Sequence, residues 1–154
     1  MLQEAKHQEI QIKAIEIIDK NLSMREKQKA ICDLLLHEIG HYDWVGFYMK
    51  DSEKDELVLG QYAGEPTEHK RIPFGKGICG QSAVQERTIN VSDVTAEDNY
   101  IACSIETKSE LVVPIMDGDR FVGQIDIDSQ TPNAFNIRDE RLLQAICKRL
   151  AEFY

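Results

Sequence analysis

The sequence predicts an α+β fold: a central antiparallel β-sheet, with the N- and C-terminal helices on one face and pocket-forming loops on the other. Three observations point there. Apolar residues recur at helical spacing at both ends of the chain, while the middle carries short aromatic and β-branched runs with period-two alternation. Two of those runs flank Asp117-Gly118-Asp119, a turn signal that makes them a hairpin. Two helices, then mostly antiparallel strands, then one helix suit helices packed on one side of a sheet.

The first helical stripe, over residues 2–20, is carried by Ile10, Ala14, Ile17 and Ile18, and Asn21 and Leu22 end it. Ser23 followed three residues later by Glu26 opens a second helix with a capping-box pattern, running to about Gly40. Trp44–Met49 and the run from Leu57 to Gly64 read as strands joined by the polar turn Asp51–Glu56. Residues 64–77 read as a loop, and a short helix follows from about Cys79 to Gln85. Thr88–Val91 is a short strand, and residues 94–107 form a polar connection carrying Cys103. The hairpin covers residues 109–129. The last helix is capped at Asn136, with Asp139 in its first turn and Leu142, Leu143, Ile146, Cys147 and Leu150 on its apolar side. A single domain over 1–154 is expected: a helical N-terminus over about 2–40, sheet and pocket over about 43–130, and a C-terminal helix over about 136–153.

Composition narrows the partners. Eighteen basic against 27 acidic residues give a net charge of −9, which disfavours nucleic acid and anionic lipid surfaces. The opening MLQEAKHQEI lacks an apolar signal core. No apolar run approaches the roughly 20 residues of a membrane span. A cytoplasmic, reducing location is expected, with the thiols free or cycling during function. Apolar surface on the terminal helices makes a homodimer possible.

Strand alternation places the chemistry. In Arg120–Ser129, Phe121, Gly123, Ile125 and Ile127 share the face expected to meet the helices, and Val122, Gln124, Asp126 and Asp128 share the other. Two carboxylates on one sheet face need pairing or protonation in a dry interior, so they belong in a polar pocket. Glu110 joins them only if the hairpin parity is right, and an odd-length loop with Gly118 left-handed is expected to provide it. Trp44 and Tyr48 share a face of their strand, where they serve either as pocket wall or as core; the residues alone leave both open. Cys79 and Cys103 sit in glycine-rich or polar segments, unlike Cys32 and Cys147, which fall in amphipathic helices as small buried hydrophobes. Two such thiols with a cluster of acids supply the parts for thiol redox chemistry on a small polar substrate.

Six segments match in order those of a known family: Trp44–Tyr48 (WVGFY), Leu57–Gly60 (LVLG), Arg71–Gly80 (RIPFGKGICG), Ile101–Cys103 (IAC), Ser109–Pro114 (SELVVP) and Gly123–Ser129 (GQIDIDS). Over about residues 25–150 the chain resembles the free methionine-(R)-sulfoxide reductases, stand-alone enzymes of the GAF fold. The resemblance implies reduction of free methionine (R)-sulfoxide without a bound cofactor, with electrons from thioredoxin or a similar dithiol. It implies Cys103 as nucleophile and Cys79 as resolving thiol. Glu110, Asp126 and Asp128 become the pocket carboxylates, Glu110 and Asp128 with catalytic roles and Asp126 holding substrate. Trp44, Tyr48, Ile101 and Ala102 become substrate contacts. Many members carry a third cysteine where His69 stands here, a histidine at Tyr100 and an aspartate at Ser104.

Rival motifs are weaker. Gly75–Gly80 spells GxGxxG, but no strand–helix–strand unit surrounds it, and its glycines fit a tight loop with close backbone approach. His37–His41 spells HExxH, but Gly40 should end the helix before His41 reaches a shared face. A GAF domain that binds a small ligand without chemistry, or senses redox state through its thiols, is the alternative function.

Overall fold

The computed structural model describes residues 2–97, 99–100 and 106–154; Ile101, Ala102 and Cys103 lie outside the described residues. Helices α1 (Leu2–Asp19) and α2 (Met24–Glu38) lead into strands β1 (Trp44–Lys50) and β2 (Glu56–Ala63). Strand β3 (Arg71–Pro73), helix α3 (Gly77–Gln85) and strand β4 (Ile89–Val91) follow. The hairpin of β5 (Ser109–Asp117) and β6 (Arg120–Ser129) precedes α4 (Ile137–Leu150). The strands pair in the order β3-β2-β1-β6-β5-β4, every neighbour antiparallel. Among the described residues no helix is long and apolar enough to cross a membrane.

The expected α+β layering is observed. Ile10, Ala14 and Ile18 of α1, Ile31 and Leu35 of α2, and Leu142, Leu143 and Ile146 of α4 pack with Val45, Phe47, Leu111, Val113, Ile115, Ile125 and Ile127 of the sheet. Each fully buried side chain of this kind stabilises the fold by about 1.5–3 kcal/mol relative to exposure. The opposite face holds a second, smaller cluster in which Ile78, Cys79 and Ala83 of α3 meet Trp44, Tyr48, Leu57, Ile72, Val112 and Phe121. Segment 64–77, expected as a loop, contains β3, which pairs Leu57 with Ile72 and Glu56 with Pro73. Pro73 is tolerated there because β3 is an edge strand, with no neighbour on its outer side to need the missing N–H.

Local signals set the helix ends. Ser23 Oγ accepts from the Glu26 N–H at 3.1 Å. The Asn136 side chain accepts from the N–H groups of Arg138 and Asp139, and Asp139 Oδ2 accepts from the Asn136 N–H at 2.9 Å, a complete capping box. The helix of the HExxH segment stops at Glu38, so His41 lies beyond it and the two histidines do not share a helical face.

The hairpin reaches the expected parity by a different route. Asp117 pairs with Arg120, so the turn holds two residues, Gly118 and Asp119, with Gly118 left-handed at φ +61°. Between the pairs Ile115↔Gly123 and Met116↔Phe121 the register shifts by one residue, a β-bulge at Val122. That bulge, rather than an odd-length loop, brings Glu110 opposite Asp128. It also reverses the two residues at its edge: Phe121 joins the pocket-side cluster and Val122 the helix-side core, opposite to simple alternation.

Asp139 ties three distant segments together. It is 1% exposed, and its Oδ1 accepts from Tyr42 Oη at 2.7 Å and lies 3.0 Å from His7 Nε2 and 3.4 Å from His41 Nε2. Burial alone would raise its pKa. The bonds from His41, His7, the Asn136 N–H and Tyr42 outweigh burial and hold the carboxyl well below the usual carboxylate range. A depressed native pKa contributes stability that is fully present above the unfolded value, about 3.9, and is lost as pH falls from there through the lower native value. Asp139→Asn is therefore expected to destabilise the protein at pH 7 by about 1.5–3 kcal/mol, with the difference from wild type shrinking as pH drops below about 4. Thermal denaturation of both proteins across that range tests this; a gap that widens in acid would contradict it.

Candidate active site

The face of the sheet turned away from α1, α2 and α4 carries the acids. Cross-strand rows run Trp44–Asp128–Glu110, Gly46–Asp126–Val112 and Tyr48–Gln124–Pro114. Glu110, Asp126 and Asp128 are all buried, as the alternation expected once the hairpin parity is set. Burial first, then the charges of Asp126 and Asp128, push the pKa of Glu110 well up. Burial likewise raises Asp126. Carboxyl groups this close titrate as a group rather than singly.

Helix α3 brings Cys79 onto this cluster. Its thiol donates to Glu110 Oε2 at 3.7 Å, and ligand atoms of Cys79, Glu110 and Asp126 lie within 4.8 Å of one another. Cys79 occupies the third position of α3 rather than its start. The positive helix terminus favours an anion there, and the neighbouring acids oppose it. Gln124 Nε2 donates to the Cys79 carbonyl at 3.2 Å and holds α3 against the sheet. A cavity of about 10 Å³ separates these groups, lined among others by His69, Ile72, Lys76, Cys79, Glu110 and Asp126. It has room for about one water. A wider groove of about 1070 Å³ beside the β5–β6 turn is lined by residues including Met24, Met49, Phe74, Val84 and Arg120, with no thiol among the described residues that line it.

Trp44 and Tyr48 stand on the acids' face but are buried, at 5% and 0% exposure. The indole stacks on Tyr62 with centroids 5.7 Å apart and planes at 16°, and its Nε1–H donates to the Glu65 carbonyl at 2.9 Å. Tyr48 Oη donates to the His69 carbonyl at 2.8 Å. Both aromatics therefore fasten segment 65–69, which delivers His69 to the cavity wall. Gly46 exists to admit the indole: a Cβ there would lie 2.2 Å from Trp44 Cη2.

Three contributors had little signal in the sequence. Gln124 shares the parity of the aspartates, but parity alone does not assign it to Cys79. His69 reads as a loop histidine until β3 folds it inward. Asn99 lies in a polar connection, yet its Oδ1 accepts from the Gly77 N–H at 2.9 Å and its Nδ2 donates to the Gly75 carbonyl at 2.6 Å. These bonds pin Asn99 to the start of α3. The glycines of the GxGxxG segment form that tight loop: a Cβ at Gly80 would meet the Pro73 carbonyl oxygen at 2.8 Å. Cys32 and Cys147 are buried away from the site, burial pushing both thiols' pKa up.

Residues 29–152 match the GAF domain family. An Escherichia coli protein named free methionine-R-sulfoxide reductase is 34% identical over 117 residues, covering 76% of this chain and 69% of that protein. The free methionine-R-sulfoxide reductase of Neisseria meningitidis, solved in complex with its substrate, superposes with a TM-score of 0.92 at 33% identity, covering 97% of this chain and 89% of that one. The reduced form of Staphylococcus aureus fRMsr gives a TM-score of 0.87 at 34% identity over 95% and 93%.

Trp44 is the single tryptophan, so its fluorescence reports directly on this wall. Gly46→Ala is expected to displace the indole, shifting its emission and lowering stability by about 1–3 kcal/mol through overpacking. Emission spectra and melting curves check this; a variant with wild-type values in both would show that the wall has slack.

Proposed function

The chain belongs to the GAF family and, within it, to the free methionine-R-sulfoxide reductases, and from that premise we propose that it reduces free L-methionine (R)-S-oxide to L-methionine with its own cysteines. The observation that carries the reading is the Cys79 thiol set against Glu110 and Asp126 in one cavity, on the sheet face that also bears Asp128. Burial serves this chemistry twice: it excludes water, and it lets a carboxyl group keep the proton that a departing oxygen needs.

In this mechanism Asp126 holds the substrate ammonium, Ile101 and Ala102 contact the amino acid, and Trp44 and Tyr48 back the wall beside its methyl group. The Cys103 thiolate attacks the sulfoxide sulfur. Glu110, assisted by Asp128, supplies the proton to the oxygen. Two electrons pass from the Cys103 sulfur to the substrate sulfur: the transient S–S bond and the substrate S–O bond break, the protonated oxygen bonds to the Cys103 sulfur, and methionine leaves with Cys103 as sulfenic acid. The Cys79 sulfur then attacks that sulfenic acid, water leaves, and a Cys79–Cys103 disulfide forms. A thioredoxin-type dithiol returns both to thiols, becoming oxidised itself. With His69 in place of a third cysteine, the cycle runs on two thiols.

Mixing reduced protein with each free methionine sulfoxide epimer, without external reductant, tests the reading directly. One methionine released and two thiols lost per chain are expected with the R epimer. Cys103→Ser should release none. Cys79→Ser should release one methionine but leave a trappable sulfenic acid, and Glu110→Gln should slow release by about 10²–10⁴-fold. No methionine from either epimer, with both thiols reduced, would leave a ligand-binding or redox-sensing domain.

A further inference from the structure

We propose that, in the reduced protein, Cys79, Glu110 and Asp126 form a binding site for a borderline-soft divalent cation of the Zn²⁺ class. Their ligand atoms already approach the required spacing. A tetrahedral centre with Zn–S about 2.3 Å and Zn–O about 2.0–2.2 Å separates a sulfur and an oxygen ligand by about 3.6 Å. Cys79 Sγ and Glu110 Oε2 are 3.7 Å apart, and all three ligand atoms fall within 4.8 Å, so a small rotation of Asp126 completes the triangle.

A second observation is independent of the acid cluster's existence. Asp126 is fully buried and lines the cavity, and its oxygens meet Glu110 and Cys79 with no N–H, hydroxyl or cationic group against them among the described residues. A buried carboxylate left so is costly unless something positive meets it. The cavity between these side chains, about 10 Å³, has the size of one water or one ion. The thiolate ligand selects Zn²⁺ over Mg²⁺ and Ca²⁺, which take oxygen. His69 lines the same wall and offers a nitrogen for the fourth position. Binding releases the thiol and carboxyl protons to the buffer. Such a cation binds whether or not the chain reduces a sulfoxide, and while bound it ties up Cys79.

Titrating the reduced full-length protein with Co²⁺, then displacing it with Zn²⁺, tests the site without substrate. Expected are a thiolate-to-Co²⁺ charge-transfer absorption saturating at one ion per chain, its loss in Cys79→Ser, and Zn²⁺ affinity at least about tenfold weaker in Asp126→Asn. Circular dichroism confirms that both variants are folded. The double variant His7→Ala/His41→Ala, which removes the other histidine cluster, should keep both signals. Absence of the absorption in the reduced wild type, its persistence in Cys79→Ser, or unchanged affinity in Asp126→Asn overturns the proposal.

Discussion

Three carboxylates buried on one face of an antiparallel sheet are the constraint around which the rest of this structure is arranged. Each, if ionised and alone, would cost several kcal/mol to remove from water, and adjacent like charges add to that. Burial and the neighbouring acids push the pKa values of Glu110 and Asp126 upward, toward the uncharged form, and α3 brings a thiol donor to Glu110. Much else on that face serves the same end. Trp44 and Tyr48 seal the flank of the acids and spend their own polar atoms on backbone carbonyls outside the cluster, so neither competes for the carboxylates.

The β-bulge at Val122 is the mechanical condition for this cluster. Without it the two-residue turn would set Glu110 opposite Ile127, turning a carboxylate toward the apolar helices. With it, the pairs Glu110↔Asp128 and Val112↔Asp126 stack acids and a small apolar residue on the pocket side. One unpaired residue near the turn thus decides on which face of the sheet Glu110 joins the two aspartates. The same residue moves Phe121 into the pocket-side cluster, where its ring meets Phe74 edge-on at 5.9 Å.

A second polar anchor stands on the other side of the sheet. Asp139 closes the capping box of α4 and accepts from Tyr42 and His7, so one carboxylate serves a helix end and two tertiary contacts. Its protonation behaviour is opposite to that of Glu110 although both are buried. Donors converge on Asp139 and outweigh its burial, whereas burial first and then the charges of Asp126 and Asp128 raise Glu110, so one pKa falls and the other rises.

Much of this was legible locally. The capping residues Ser23 and Asn136, the helical stripes and the shared face of Gln124, Asp126 and Asp128 follow from periods of 3.6 and 2 that any short stretch of chain obeys. So does the separation of Cys79 from the helix-core thiols Cys32 and Cys147. The pairing of β3 with β2, the bulge that turns Glu110, and the use of Asn99 and Gln124 to fix the start of α3 were not legible, because each depends on which distant segment arrives opposite. Cys79 meets Glu110 across 31 residues of chain, and His7 meets Asp139 across 132. The sequence by itself determined the kinds of elements and the faces of their residues, since backbone sterics and side-chain period are local. Only the tertiary structure decided which acid faces the thiol, because register and packing are settled between segments that the chain order keeps far apart.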